Sequence, residues 1–87
     1  MATVEQRVKA ATANVLKIPD PDAIQLTDSF TVDLGAKSVQ SIELVATFEE
    51  EFGIEMEEEA ALSVETVGGA VAFITEVCKA QGVDVET

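Results

Sequence analysis

The chain has no histidine, and that one absence removes more chemistry than any other feature of the sequence. Without an imidazole the Ser-His-Asp arrangement cannot be built, and the usual zinc sets lose a principal ligand. A single cysteine, Cys78, rules out an intramolecular disulfide. Its place on the apolar face of the last helical segment marks it as a small buried hydrophobe rather than a reactive thiol. Cations are scarce too: five Lys and Arg face 17 Asp and Glu, for a net charge of −12. None of the five lies between Ser38 and Val77, a stretch that holds Glu43, Glu49, Glu50, Glu51, Glu55, Glu57, Glu58, Glu59 and Glu65. Nucleic acid and anionic membrane are repelled by such a surface, so neither is expected as a partner. The acidic runs suit either a solvated face or a partner with a basic patch.

Long apolar runs are also missing. No segment approaches a membrane span, and "MATVEQRVKAATANV" lacks the apolar core of a signal peptide, so the expected location is the cytoplasm. A lone thiol agrees with that compartment. "PDPDAIQLTD" has carboxylates but neither the central glycine nor the closing glutamate of a calcium loop, so no metal site is expected. At 87 residues there is room for one core, and residues 1–87 are expected to form a single domain. Most enzyme classes lack their parts here, and the expectation is a protein that is not an enzyme.

What is present is helical periodicity. Val4, Val8, Ala11 and Val15 recur at helical spacing across about Thr3 to Lys17, and Pro19 ends that segment. Residues from about Ile18 to Lys37 form neither strand nor helix, yet Ile24, Leu26, Phe30, Val32 and Leu34 are spaced so that a long loop could be anchored across a helix pair. Gly35 can supply the positive φ of a sharp turn. A second helix is expected from about Ser38 to Phe52, with Ile42, Val45, Phe48 and Phe52 on its core face and Leu44 extending it. Val39, Glu43, Ala46 and Glu50 fall on a separate stripe, alternately apolar and acidic. A short helix around Glu57 to Leu62 follows the stop at Gly53. Thr66 caps a last helix that carries Val67, Ala70, Val71, Ile74, Val77 and Cys78 on one face. Gly68 and Gly69 weaken its first turn, which is expected to fray. The expected fold is all-α: a bundle of three main helices and one short helix, with a long anchored loop between the first two.

Ser38 stands where the loop becomes the second helix. One reading is an N-cap, a role serine fills well. The other uses the same geometry differently, because free amides and the positive helix pole stabilise an anion attached there. Ser41, three residues on, points toward the core and reads as structural.

The run "LTDSFTVDLGAKSVQSIELVATFEEEFGIEMEEEAALSVETVGGAVAFI" resembles the acyl carrier protein family, over about Leu26 to Ile74. That family's usual pattern is an anchored loop ending in Asp-Leu-Gly, then Asp-Ser-Leu opening the second helix, then Glu-Leu-Val and an acidic run ending in Phe. The resemblance implies that Ser38 receives 4′-phosphopantetheine from coenzyme A through a separate phosphopantetheinyl transferase. It further implies that the arm's thiol carries acyl groups as thioesters, that part of an apolar acyl chain can enter between the helices, and that the protein is a monomer. It makes the Val39, Glu43, Ala46 and Glu50 stripe a docking face for acyl-transferring and chain-modifying enzymes with basic patches. The sequence departs from the pattern beside the serine: Lys37 stands for the aspartate before it, Val39 for leucine, and Gln40 for the aspartate two residues after it. The resemblance implies work in fatty acid, polyketide or related specialised biosynthesis, and these departures suggest a specialised carrier. Two alternatives stay open: an unloaded interaction module with the carrier fold, and a peptidyl or D-alanyl carrier.

Overall fold

Three of the four α-helices among the described residues begin on a side chain that takes up a free amide of the first turn, and one does not. The computed structural model describes residues 2–87. Helix α1 spans Val4–Leu16, α2 Ser38–Phe52, α3 Glu58–Leu62 and α4 Val67–Ala80, with a 3₁₀ turn at Pro21–Ala23. Before α1, Thr3 Oγ1 accepts from the Gln6 N–H at 3.2 Å while Gln6 Oε1 accepts from the Thr3 N–H at 2.8 Å, a reciprocal pair that satisfies two free donors. Glu57 accepts from the Ala60 N–H to open α3, and Thr66 from the Gly69 N–H to open α4. The exception is α2, whose preceding residue is Lys37.

The all-α bundle agrees with the periodicity, and the core sits between the three longer helices. Val4, Val8, Ile24, Phe30, Leu44, Phe48, Phe52, Ile54, Val67, Ala70, Ile74 and Cys78 are all buried. On α1 the buried line is Val4, Val8 and Thr12 with Ala13, whereas Ala11 and Val15 are half-buried at its margin. Thr12 is fully enclosed because its hydroxyl donates to the Val8 carbonyl at 2.7 Å, leaving only its methyl to pack.

On α2 the core face is centred differently from the expectation. Leu44, Phe48 and Phe52 are buried and Val45 is half-buried, but Ile42 is 50 % exposed. At 100° per residue Ile42 lies about 110° round from the middle of the buried face, which borders the outer stripe. Arg7 ties α1 to this helix: Nε donates to Glu51 Oε2 and Nη2 to the Glu51 carbonyl, both at 2.8 Å, and the guanidinium lies 4.3 Å from the centre of the Phe52 ring.

The long loop is anchored, though not by every residue expected. Ile24 and Phe30 are buried and Leu34 is half-buried, while Leu26 and Val32 are exposed, Val32 at 83 %. The loop instead holds on through backbone. Phe30 N–H donates to Glu65 O, Val67 N–H to Asp28 O and Gly68 N–H to Leu26 O at 2.8 Å. The last two bonds consume amides that would otherwise be free at the start of α4. The start of α4 is therefore clasped by the loop rather than left to fray. Gly68 permits it: a Cβ there would stand 3.0 Å from the Leu26 carbonyl oxygen, too close for backbone that is itself held. Cys78 is wholly enclosed in the core, and burial pushes its thiol pKa up.

Candidate attachment site and docking face

The turn into α2 is built from backbone. Gly35 takes φ +71°, the left-handed conformation that lets the chain reverse. Ala36 is buried, and its N–H donates to Phe30 O at 2.8 Å, so the chain is fastened to the loop two residues before the serine. Lys37 is then extended at φ −87° and ψ 166°. Gln40 Oε1 reaches back and accepts from the Lys37 N–H at 2.9 Å. Half of a reciprocal cap is thus present. The other half is missing, because a lysine side chain has donors only and makes no cap hydrogen bond.

Ser38 is not the N-cap that one sequence reading made it. It is the first residue of the helix itself, one position past the cap, and its side chain is exposed. The amides of the first turn of α2 therefore have no side-chain acceptor and point to the solvent around Ser38. An anion there would meet free N–H donors and the positive helix pole together.

Val39, Glu43, Ala46 and Glu50 are all exposed along one side of α2, as their spacing required. Val39 is 64 % exposed, and with Ile42 it adds apolar surface to this acidic face. Neither Glu43 nor Glu50 is in an ion pair among the described residues.

Ser41 is half-buried on the other side of the helix, where it borders a cavity of about 220 Å³. Phe30, Leu44, Phe48, Met56, Leu62 and Ile74 are among its apolar lining residues, drawn from the loop, α2, the connection between α2 and α3, α3 and α4. The cavity was not legible as a set of residues, because segments spread from Phe30 to Ile74 contribute to it. Only the prevalence of small and aliphatic core residues hinted at it. Among the described residues no cluster of His, Cys, Asp or Glu could hold a metal ion, and no helix is long and apolar enough to cross a membrane.

Comparison with known proteins agrees with this architecture. A family model described as "Phosphopantetheine attachment site" matches residues 6–74. The chain is also 45 % identical over 76 residues to proteins named acyl carrier protein from two strains of Caulobacter vibrioides, NA1000 / CB15N and CB 15, covering 87 % of this chain and 96 % of each relative. The chain belongs to the acyl carrier protein family, and its cofactor is covalently attached 4′-phosphopantetheine. The residues present fit that group: an exposed hydroxyl at the first position of α2 beside amides with no side-chain acceptor is suited to a phosphodiester.

Proposed function

We propose that the protein is an acyl carrier whose Ser38 bears the 4′-phosphopantetheine arm, acting in fatty acid, polyketide or related specialised biosynthesis, with the residues beside Ser38 favouring a specialised role. The observation that carries the assignment to Ser38 is its exposed position at the start of α2, the one α-helix among the described residues with no side-chain cap. When bound, the arm supplies a terminal thiol that holds acyl groups as thioesters. The chain's own residues do the rest without catalysing a reaction, which is why no histidine is needed.

Each part of the molecule has a task in this reading. The Gly35 turn and the Ala36 bond to Phe30 fix where the serine projects. The free amides of α2 hold the phosphodiester anion. Glu43 and Glu50, with Val39 and Ala46 alternating with them along the same stripe, offer carboxylates and apolar surface to basic enzyme patches, including that of a phosphopantetheinyl transferase. The cavity beside Ser41 can shelter part of an acyl chain. Its volume of about 220 Å³, at roughly 30 Å³ for a water-sized group, accommodates a short apolar segment. The specialised role rests on Lys37 and Gln40, which replace two carboxylates of the usual family pattern.

The test is to incubate the unloaded protein with coenzyme A, Mg²⁺ and a broad-specificity transferase, and to follow intact mass. One phosphopantetheinyl group should be gained by the wild type and none by Ser38→Ala. Modification at Ser41, or persisting in Ser38→Ala, would overturn the assignment.

A further inference from the structure

We infer that Lys37 is a positioning residue for the arm: its ammonium is the counter-cation of the phosphodiester on Ser38, and it holds that phosphate against the open end of α2. The inference rests on Ser38 as the attachment residue.

The unloaded chain places Lys37 badly. It occupies the cap position of α2, where a side-chain acceptor is wanted and lysine has none. Its positive charge also stands at the positive pole of that helix. The chain has an abundance of carboxylates that could compensate, yet none pairs with it among the described residues. Of the five cations, Arg7 pairs with Glu51 at 2.8 Å, Lys9 with Glu5 at 2.9 Å and Lys79 with Glu76 at 3.8 Å. Lys17 is also without an ion pair there, but it closes α1 at the negative pole, where a cation is favourable. Lys37 alone combines no ion pair with the wrong pole.

A phosphodiester on the next residue reverses both disadvantages. It supplies the acceptor that the amides of α2 lack, and it supplies the negative charge that Lys37 lacks. Neighbouring Cα atoms are about 3.8 Å apart, so the flexible four-carbon stem needs little extension to bring its three donors to the phosphate. Gln40, by accepting from the Lys37 N–H, holds the backbone ahead of the helix in the extended form that leaves the lysine side chain in solvent. Loading should therefore stabilise the fold, and Lys37 should supply a separable share of the gain. The adjacent charges also attract in the unfolded chain, so the measured gain reports only what the folded geometry adds.

The experiment compares thermal unfolding of unloaded and loaded protein at low ionic strength for wild type, Lys37→Gln, Lys37→Arg and Lys17→Gln, after peptide mapping has located the group. Loading is expected to raise the wild-type Tm by about 2–6 °C. The rise should drop to roughly half in Lys37→Gln, persist in Lys37→Arg and Lys17→Gln, and shrink in high salt. An equal rise in wild type and Lys37→Gln, or none in wild type, overturns the inference while leaving Ser38 as the attachment residue. A group mapped away from Ser38 overturns the proposed function as well.

Discussion

Replacing Lys37 by aspartate should make the unloaded protein more stable, although it adds negative charge to a chain already at −12. In the structure Gln40 Oε1 already accepts from the Lys37 backbone N–H, while the Gln40 N–H finds no acceptor on the lysine side chain. An aspartate keeps the first bond and supplies the acceptor for the second, completing a reciprocal cap. Such a cap is worth about 1 kcal/mol. Exchanging a cation for an anion at the positive pole of α2 contributes a further 0.3–1 kcal/mol or so. The net charge would move from −12 to −14, one positive charge being lost and one negative gained, and self-repulsion offsets part of this gain. The balance is about 1–2 kcal/mol, which in a domain of this size corresponds to a Tm increase of roughly 5–12 °C. Thermal unfolding of the unloaded proteins by circular dichroism measures it. Lys37→Ala should recover only the charge component, and that smaller gain should fade with salt while the capping component survives. A Lys37→Asp protein that melts at or below the wild-type temperature would refute the reading of α2 as an uncapped helix.

Three further outcomes follow from the same geometry. Lys37→Asp, alone or with Gln40→Asp, should be loaded faster by a general fatty-acid-pathway transferase: two units of charge change at about 7 Å from a basic enzyme surface give ~1.2 kcal/mol in water, roughly halved by physiological salt, and hence a KM about threefold lower. Initial rates against carrier concentration check this, and an unchanged or slower rate would show that lysine is tolerated or recognised. Partner association should weaken as ionic strength rises, with Glu43→Lys and Glu50→Lys costing far more than Glu5→Lys on α1; equal effects at all three would leave only a general charge effect. Cys78 should resist alkylation in the native protein and react on unfolding. Because burial raises its pKa above the ordinary 9.0, the stability gained from keeping it a neutral thiol is fully present below that value. It is lost as pH rises through the folded pKa, so Tm should fall more steeply there in wild type than in Cys78→Ala.

The helices were legible because each carries its own punctuation. Thr3, Pro19, Gly53 and Thr66 act within a few residues of where they stand, and local rules suffice for them. The exposed stripe of α2 was legible for the same reason, since a 100° step fixes which residues share a side. Its core face was less so: Ile42 is as apolar as Leu44, and only the packing of the other segments around α2 decides which of them is enclosed. Ser38 illustrates a finer limit. Serine is a good cap and lysine a poor one, so composition favours Ser38 at the cap, whereas the turn anchored by Ala36 carries the extended residue one position earlier. Gly68 shows the largest gap between local and long-range reasoning. It looks like a weak point in a helix, and it is where a carbonyl 42 positions earlier in the chain, that of Leu26, comes within 2.8 Å of a backbone nitrogen.

The central claim is that this chain is loaded at Ser38 in its own cell. Intact mass of the protein purified from its native host, followed by fragmentation of the peptide that contains both Ser38 and Ser41, tests it most directly. The account predicts a population carrying one phosphopantetheinyl group, free or acylated, on Ser38. A protein recovered wholly unmodified from growing cells would contradict it, and would identify the molecule as an interaction module that keeps the carrier fold without the cargo.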